Sequence, residues 1–493
     1  MLPHSCTRVL AQVLIFCGMV FCLAGVGADS PERLAKRECS KCHAFPPPES
    51  MHLEDWEKGA FPYLEDLLGI DQIKNYDATT QSAVLTRWEA IKAYYLRHSR
   101  PKPEFAAPPK PLLSTVFGHR STVEKLDVTA IYHDANEFVY IGDALSRAVL
   151  VFDRAFRKVR TFVAAKVPCD FELSGDRLYV CSHGTLAPLD SEAGEVGYIT
   201  DSGLGDYHPL LRGLNRPTRY VPFRQSGVDC AVLCEYGISK GRITLYREGQ
   251  PVFVLPMSGG IDCRVLDADA DGKPEVYVLV AQEHECLLRL KLADNGDVDQ
   301  TFLIKKQPGW GFTAMEMVDF NDDGTVNILL SNGDTTEFRS NPRQYHGIRI
   351  YDLLEDELLE KEFIPVHGVM DFVVLDTEND GDQDIASVSY FADFRNHPQQ
   401  AAMLHLRDGG QFASQPLPGY EQGRWCRLAK GDIDGDGDED LLLGSLNYQT
   451  AKRGYERDSA YLRSVEVPRA HLARWERIGN HLRILENLSG SDH

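Results

Sequence analysis

The chain has 493 residues, with 73 acidic against 52 basic side chains and a formal net charge of −21. Together with 43% hydrophobic and 25% charged residues, this describes a folded protein and excludes disorder as the main theme. The acidic balance also argues against nucleic acid as a partner, because phosphate neutralisation needs clustered Lys and Arg. The length predicts about two to four domains, or one small domain followed by a long repeat architecture.

The first 28 residues have the pattern of a secretory signal. Arg8 is their single charged residue, an apolar run follows at 13–23, and small residues end the segment at 26–28. Cleavage after Ala28 would export the chain, which would then not be an integral membrane protein. An uncleaved anchor is the alternative, because residues 9–28 are about long enough to span a bilayer.

The strongest local motif is Cys39-Ser40-Lys41-Cys42-His43, the C-x-x-C-H spacing of covalent c-type haem attachment. Two thiols one helical turn apart can each add to a vinyl group of one porphyrin, and His43 supplies an imidazole for the haem iron. A thioredoxin-like pair is disfavoured because no strand of a βαβ unit precedes the motif, and a zinc site because no second ligand pair is near. We therefore predict one haem c on Cys39 and Cys42.

The sixth ligand of the haem iron is left open by the sequence. Met51 and His52 lie shortly after His43, and no methionine occurs between Met51 and Met257. His98 ends a predicted helix, where an interaction with the helix dipole is the simpler role. The candidates are therefore Met51, His52, His98 or none.

The residues around the motif have the pattern of a small helical domain. A helix is expected at 31–38, and a second one between Thr80 and His98 carries an apolar stripe at helical period. The stripe consists of Val84, Leu85, Trp88, Ile91 and Tyr95. A proline-rich run at 101–111 then lacks amide donors and predicts a stiff, extended linker.

Four acidic loops with one shared spacing form the second strong motif. Each offers oxygen side chains at positions 1, 3, 5 and 9, which can surround a hard cation, while Gly at position 6 permits the sharp turn. They are not EF-hands, because position 12 is never Glu and the flanks are strand-like. The loops predict up to four calcium ions, with these ligands: Asp267, Asp269, Asp271 and Glu275; Asp319, Asn321, Asp323 and Asn327; Asp376, Glu378, Asp380 and Asp384; Asp432, Asp434, Asp436 and Asp440.

These loops belong to a longer repeat. Equivalent strands begin near residues 138, 177, 229, 275, 327, 384 and 440. Seven units with a period of about 50 residues, each with several short strands, are typical of a β-propeller. A strand near 115–117 is expected to complete the last blade, because open sheet edges are unfavourable.

The predicted fold class is therefore a small all-α cytochrome c domain followed by an all-β propeller of seven blades. The predicted boundaries are a signal peptide at 1–28, a cytochrome c-like haem domain at 29–99, a Pro-rich linker at 100–112 and the propeller at 113–493. Seven cysteines fall between Cys169 and Cys426. They are read either as small apolar core residues or as disulfides, such as Cys169 with Cys181 or Cys230 with Cys234.

Several phrases carry a likeness to a known family: Cys39 to Pro48, Trp310-Gly311-Phe312, Asn332-Gly333-Asp334, Tyr345-His346-Gly347-Ile348-Arg349-Ile350-Tyr351, Ser389-Tyr390-Phe391 and Gly423-Arg424-Trp425. The C-terminal region resembles the FG-GAP/VCBS-repeat propellers, and the mature chain resembles exported bacterial proteins that join a cytochrome c domain to such a propeller. The resemblance implies a location in the bacterial periplasm or at the cell surface, haem c and loop-bound calcium. It implies no reaction, and a fold alone supplies none.

Three functions are compatible with these features. In the favoured one, the chain carries electrons on haem c and its calcium-binding propeller docks it to a redox partner protein or a surface polymer. Alternatively, the propeller is a periplasmic oxidoreductase that passes electrons to its own haem, or a surface adhesion module with a haem sensor. A quinone cofactor is disfavoured because the propeller has only Trp310, Trp425 and Trp475, and no catalytic residue can be named.

Overall fold

The computed structural model describes residues 30–41, 44–101, 117–124, 126–134, 138–163, 166–186, 189–268, 271–335, 341–354, 356–446, 467–478 and 480–488. The predicted signal peptide and the predicted linker beyond Pro101 lie outside these residues, as do Cys42, His43 and Asp269. The chain divides into two compact units, the first of which runs to Phe105. Among the described helices, none has the length and apolar character needed to cross a bilayer.

The first unit is built from short helices. The α-helices are α1 Pro31–Cys39, α2 Leu53–Asp55, α3 Phe61–Leu67 and α4 Ala78–His98, with 3-10 turns at Pro48–Ser50 and Ile70–Asn75 and a π turn at Trp56–Ala60. Side chains fix the helix starts: Ser30 caps α1, and Asp77 accepts hydrogen bonds from the N–H groups of Thr79 and Thr80, each at 3.0 Å.

The core of this unit confirms most of the predicted stripe on α4. Val84, Trp88, Ile91 and Tyr95 are buried and pack against apolar side chains of the other helices. Leu85 was assigned to the same stripe, but it is 39% exposed. A residue one position along a helix is rotated by about 100°, which turns Leu85 away from the face that Val84 buries.

The prediction of a separate, small all-α cytochrome c domain is wrong. Of the four α-helices in the described N-terminal residues, only α4 is longer than nine residues. The prolines at 46–48 remove amide donors and favour extended backbone, and the chain from 53 to 75 changes between α, π and 3-10 turns. The architecture is therefore a seven-bladed β-propeller preceded by short helices.

The propeller consists of seven four-stranded antiparallel sheets, as the repeat predicted. Blades 1 to 3 are formed by β2 Val128–His133, β3 Val139–Asp143, β4 Ala148–Phe152 and β5 Lys158–Phe162; β6 Pro168–Ser174, β7 Arg177–Ser182, β8 Gly194–Ile199 and β9 Tyr207–Leu214; and β10 Pro217–Gln225, β11 Val228–Glu235, β12 Arg242–Arg247 and β13 Gln250–Leu255. Blades 4 to 6 are formed by β14 Gly260–Leu266, β15 Glu275–Val280, β16 Cys286–Leu292 and β17 Val298–Lys305; β18 Phe312–Val318, β19 Asn327–Asn332, β20 Gly347–Leu354 and β21 Glu357–Pro365; and β22 Val369–Leu375, β23 Asp384–Ser389, β24 Ala402–Asp408 and β25 Gln411–Pro416. Blade 7 combines β26 Trp425–Gly431, β27 Asp440–Ser445 and β28 Asn480–Asn487 with β1 Phe117–Glu124, and the helix α5 Arg469–Ile478 precedes β28.

The ring is closed by strands from both ends of the propeller. The first strand of each blade, β26 in blade 7, contacts the first strands of the two neighbouring blades, which makes these seven the inner strands. Strand β1 pairs with β28 in antiparallel register, from Phe117 opposite Asn487 to Glu124 opposite Asn480. This pairing confirms the expectation that a strand near 115–117 completes the last blade.

Hydrogen bonds from a single strand position join five of the seven blades to the next. The second residue of the inner strand donates its side chain to the carbonyl of the first residue of the next inner strand. The bonds run from Thr129 to Pro168, Cys169 to Pro217 (3.2 Å), Thr218 to Gly260 (2.7 Å), Thr313 to Val369 (3.0 Å) and Cys426 to Val128 (3.4 Å). Ile261 and Met370 occupy the position in blades 4 and 6 and have no donor.

The propeller cysteines therefore act as small buried residues. All seven between Cys169 and Cys426 are buried free thiols, so the alternative pairings of Cys169 with Cys181 and of Cys230 with Cys234 are not formed. Two of them, Cys169 and Cys426, take the place of threonine in the bonds between blades.

The third position carries a charged side chain in five of the seven inner strands, the exceptions being Ala130 and Ala314. Arg219 pairs with Asp170, with Glu172 at 3.1 Å and with Asp262 at 3.5 Å. Burial raises the pKa of Asp170 and of Asp371 to about 6, although nearby arginines oppose that shift. The charges along these strands are thus largely compensated within the chain.

Candidate cation loops and haem-attachment segment

The four acidic loops lie at one end of their blades. Each connects the first and second strands of a blade, in blades 4, 5, 6 and 7, with eight residues between the strands. The prediction that each loop joins two strands is confirmed. In blades 2 and 3 the same connection is a two-residue turn, at 175–176 and 226–227.

Carboxylates at two loop positions bond to the loop's own backbone. In the loops that begin at Asp267, Asp319 and Asp376, the carboxylate at position 1 accepts hydrogen bonds from the N–H groups of positions 5 and 6, at 2.8–3.2 Å. In all four loops the carboxylate at position 5 accepts the N–H of position 7, at 2.8–3.2 Å. These side chains therefore stabilise the turns even without a cation.

Position 9 joins the loop to the neighbouring strand in two of the loops. Asp384 accepts the N–H of Thr377 within its loop at 3.1 Å and that of Arg407 at 2.8 Å. Asp440 accepts the N–H of Ile433 at 2.8 Å and that of Asn487 on β28 at 2.8 Å. Both carboxylates are buried, so their second role is to hold a strand edge.

The loop at 432–440 brings three predicted ligands together. One oxygen each of Asp432, Asp434 and Asp440 lies within 4.8 Å of the other two, the one such cluster that the described part of the chain contains. Burial raises the pKa of Asp440 to about 6, and Asp434 and Asp438 add to the shift. The crowded negative charge fits a hard cation. Asp436 is not in the cluster, because its carboxylate accepts the N–H of Asp438 at 3.2 Å.

The other loops are less suited to a cation. In the first, Glu275 accepts the hydroxyl of Tyr277 at 2.5 Å and pairs with Lys291 at 2.5 Å, so this ligand is already neutralised. In the second, the amide oxygen of Asn327 accepts the N–H of Phe320 at 2.8 Å, and its amide N–H donates to Asp352. Their remaining predicted ligands are Asp267, Asp271, Asp319, Asn321 and Asp323, with Asp269 outside the described residues.

The loop at 376–384 is intermediate between these cases. Partial burial raises the pKa of Glu378, and the carboxylates of Asp384 and Asp380 raise it further. Asp376 is turned toward the backbone, where it accepts the N–H groups of Asp380 and Gly381. The negative charge is concentrated here as well, but the oxygens do not converge as they do at Asp440.

Cys39 is the last residue of α1 and is half-buried. It packs at the edge of the helical core, where several apolar side chains are themselves only partly buried. These are Phe45, Met51, Ala60, Leu64 and Leu68. A large apolar group attached to Cys39 would cover such a surface, so the described residues fit a porphyrin. Cys42 and His43 lie outside the described residues.

The three candidates for the sixth ligand have different surroundings. His98 is exposed, and its Nδ1 lies 2.7 Å from the carbonyl oxygen of Tyr94. His52 caps α2 in a capping box with Asp55. Met51 packs in the same apolar core as Cys39. Of the three, Met51 is the residue whose side chain is not engaged at a helix end.

Two buried arginines of the propeller bond to other parts of the chain. Arg349 is buried and donates to the side chain of Asn332 at 2.8 Å and to the carbonyl of Tyr345 at 2.9 Å. Arg424 is buried in a different blade junction, where its Nε donates to the carbonyl of Tyr390 at 3.0 Å. Both guanidinium groups thus bond to the chain itself.

No protein-family model matches this chain, and no curated protein matches it either. Among solved structures, the crystal structure of BBS1N in complex with ARL6DN is similar with a TM-score of 0.46 and 11% identity, over 76% of this chain and 98% of that chain. A catalytically inactive virginiamycin B lyase from Staphylococcus aureus gives a TM-score of 0.42 and 12% identity, over 67% and 96% of the two chains. A protein from Lactobacillus plantarum gives 0.40 and 14%, over 59% and 85%. The chain itself contains a seven-bladed β-propeller, a fold that can serve as a binding module.

Proposed function

We propose that this chain is an exported electron-transfer protein that carries one covalent haem c. Its propeller is the docking module for a redox partner protein or a surface polymer, in the bacterial periplasm or at the cell surface. The observation that carries the proposal is the C-x-x-C-H motif, whose first cysteine ends α1 beside a half-exposed apolar surface.

The residues of the chain have distinct functions in this proposal. Cys39 and Cys42 would hold the porphyrin through thioether bonds, and His43 would bind its iron. When bound, the group supplies one-electron transfer. Leu64 and Leu68 belong to the same partly buried apolar surface as Cys39, and Lys41 of the motif forms an ion pair with Glu38 at 2.5 Å.

Calcium is proposed as the second cofactor, with the loop at 432–440 as its best site. Asp432, Asp434 and Asp440 would contribute oxygens, and a bound divalent ion would offset their mutual repulsion. The loop lies next to the strand pair that closes the ring, because Asp440 bonds to Asn487. Calcium here would therefore stabilise the closure of the propeller.

The test of the haem proposal is covalent attachment. The chain should be produced in an exporting host with haem-attachment machinery, and haem staining after denaturing electrophoresis should persist through acid–acetone extraction. A Cys39→Ala and Cys42→Ala double variant should lose the stain, whereas the matched control Lys41→Ala keeps both thiols and should retain it. A wild-type chain without covalent haem would contradict the electron-transfer function.

Redox titration of the purified chain then separates the carrier from the enzyme. A carrier should show one reversible one-electron transition that changes the haem spectrum and should not bleach with small oxidisable envelope substrates. A substrate that reduces the haem directly, without a partner protein, would favour the oxidoreductase alternative.

A further inference from the structure

A group of aromatic side chains lies where blades 2 and 3 meet. We define the tyrosine patch as Tyr179, Tyr198, Tyr220 and Tyr246 together with His208. The ring centres are 5.8 Å apart for Tyr179 and Tyr198, 5.4 Å for Tyr179 and Tyr220, and 5.2 Å for Tyr198 and His208, which stack. Strand register places Tyr179 opposite Tyr198 and Tyr198 opposite His208, so the rings form a continuous row.

The tyrosine patch is accessible and its hydroxyl groups are available. All four tyrosines are partly exposed, and His208 is exposed. No described residue forms a hydrogen bond with the hydroxyl of Tyr198, Tyr220 or Tyr246, and these oxygens are not enclosed, so water satisfies them. Several donors and acceptors thus stand on partly exposed tyrosine side chains.

Tyrosines at the strand position of Tyr179 in two other blades are buried and have bonded hydroxyl groups. Tyr140 of blade 1 and Tyr277 of blade 4, like Tyr179, lie three residues before the last residue of the second strand. Both are fully buried, and their hydroxyls are bonded, that of Tyr140 to the Ser202 carbonyl at 3.1 Å and that of Tyr277 to Glu275 at 2.5 Å. Tyr220 and Tyr246 also pack against the core between blades 2 and 3, but unlike Tyr140 and Tyr277 they keep part of their surface in solvent, as Tyr179 and Tyr198 do.

The turns next to the tyrosine patch are short. Two-residue turns at 175–176 and 226–227 stand where blades 4 to 7 have eight-residue acidic loops. The connections beside the tyrosine patch are thus six residues shorter than those of blades 4 to 7.

The charges around the tyrosine patch are compensated. Arg177, whose guanidinium lies 4.6 Å from the ring centre of Tyr198, is 3.9 Å from Asp176. Glu172, which faces Tyr179 across the strands, pairs with Arg219 at 3.1 Å. In a chain with a net charge of −21, a neutral aromatic surface favours an uncharged partner over a polyelectrolyte.

We propose that the tyrosine patch binds an uncharged glycan. Tyrosine rings can stack on the C–H faces of sugar rings, and their hydroxyls can exchange hydrogen bonds with sugar hydroxyls that would otherwise be made to water. A row of four rings across four strands, from Tyr220 through Tyr179 and Tyr198 to His208, suits a chain of sugars better than a single one. The inference rests on the proposed function of the propeller as a docking module, and it specifies the surface polymer.

The test uses the full chain and three uncharged hexasaccharides: maltohexaose, cellohexaose and chitohexaose. Isothermal titration should show binding of at least one, and Tyr198→Ala and Tyr220→Ala should each weaken it about tenfold, a typical loss for one stacked ring with its hydrogen bond. The matched control is Tyr63→Ala, which removes a 55% exposed tyrosine of α3 outside the propeller and should leave binding unchanged.

Conservative variants guard against misfolding. Tyr198→Phe and Tyr246→Phe keep the rings and remove only the free hydroxyls, so they should fold normally and weaken binding by a smaller factor than Tyr198→Ala. The inference is overturned if none of the three hexasaccharides binds at millimolar concentration, or if the alanine variants bind as tightly as the wild type. Binding only of anionic polymers that high salt abolishes would also overturn it.

Failure of this inference and failure of the proposed function give different results. A chain that carries covalent haem but binds no hexasaccharide would retain its electron-transfer function and lose the glycan. A chain that binds a hexasaccharide but carries no covalent haem would keep the glycan site and lose the electron-transfer function, because the tyrosine patch lies wholly within the propeller.

Discussion

Blades 4 to 7 and blades 2 and 3 share one sheet design and differ in the connection between their first two strands. The first group joins its first two strands with eight-residue acidic loops, and the second group with two-residue turns. A tight turn needs only residues that tolerate positive φ, such as Gly175 and Gly227. A longer loop must find acceptors for several extra backbone N–H groups, and in blades 4 to 7 carboxylates at positions 1 and 5 provide them.

This difference shows that the spacing of the acidic residues can serve two purposes, hydrogen bonding within the loop and cation binding. The Asp side chains at positions 1 and 5 are explained by hydrogen bonding within the loop, which requires no cation. A cation site requires in addition that oxygens converge, and that condition is met at Asp432, Asp434 and Asp440. Sequence spacing alone therefore does not distinguish a loop whose oxygens converge from a loop whose carboxylates only bond to the backbone.

The largest expected effect follows from removing the side chain of Asp440. Asp440→Ala leaves the N–H groups of Ile433 and Asn487 without an acceptor, and the free energy of unfolding of the propeller should fall by roughly 2–6 kcal/mol, about 1–3 kcal/mol for each group. Urea unfolding in the presence of a chelator measures this loss without any contribution from calcium.

The matched control for Asp440 is Asp436→Ala in the same loop. The Asp436 side chain is exposed and bonds only to the N–H of Asp438, so the loss should stay below about 1 kcal/mol. Equal urea midpoints for the two variants would contradict the structural role of position 9.

Calcium addition should have the next largest effect. Binding to the folded state alone stabilises a protein by about 2.7 kcal/mol per site at a hundredfold excess over the dissociation constant. The melting temperature of the propeller should therefore rise when calcium is added and fall back to its starting value when a chelator removes the calcium. Asp434→Ala removes one of the converging oxygens and should abolish most of this rise.

The control variant for the calcium effect lies in blade 2, whose first two strands are joined by a two-residue turn. Asp176→Ala removes an exposed carboxylate of the turn in blade 2 and should keep the full calcium effect. If calcium changes neither the melting temperature nor the metal content of the purified chain, the acidic loops are turns stabilised by carboxylates and calcium is removed from the proposal.

The sequence predicted the propeller well because its evidence was periodic. Seven strand starts at nearly even spacing fix the number of blades, and a glycine at position 6 fixes each acidic turn. It could not show that Lys291 neutralises Glu275, because that pairing depends on the register of the β15–β16 hairpin. Nor could it show that Tyr179 and Tyr220 meet, because they belong to different blades.

The fold of the N-terminal segment was predicted less well, because most of its sequence is not periodic. Single helices at Pro31–Cys39 and Ala78–His98 were found close to the predicted helices at 31–38 and 80–98. The residues between them have no long apolar period, and three consecutive prolines interrupt helix at 46–48. A binding motif such as C-x-x-C-H indicates local chemistry, but it does not determine the fold around it.

A buried carboxylate away from the acidic loops should produce a smaller, pH-dependent effect. Glu285 in blade 4 accepts the N–H groups of Gly311 and Phe312, and burial raises its pKa to about 8. Between its ordinary pKa near 4.5 and that value, the folded chain holds a proton that the unfolded chain has released. The free energy of unfolding should therefore fall as pH rises, by about 1.4 kcal/mol per pH unit.

A comparison of slopes between variants isolates Glu285. Asp170, Asp371 and Asp440 have pKa values raised to about 6, so above roughly pH 6.5 they are mostly ionised in both states, and buried groups such as His183 and Cys181 contribute equally to wild type and variant. In urea unfolding between about pH 6.5 and 8, the slope of the unfolding free energy against pH should change by about 1.4 kcal/mol per pH unit in Glu285→Gln and stay unchanged in the exposed control Glu283→Gln. An unchanged slope in Glu285→Gln would show that this carboxyl does not carry the proton.

The smallest expected effect concerns the side-chain hydrogen bonds that join one inner strand to the next. They occur both in blades 2 and 3 and in blades with acidic loops. Thr218→Val keeps the shape of the side chain and removes the donor to Gly260, so the free energy of unfolding should fall by about 1 kcal/mol. Cys169→Val at the same position of blade 2 should cost less, because a thiol is a weaker donor than a hydroxyl. The control Thr161→Val, on the exposed outer strand β5, should be nearly neutral. Equal losses for Thr218→Val and Thr161→Val in urea unfolding would mean that apolar packing, without these side-chain bonds, holds the ring of blades together.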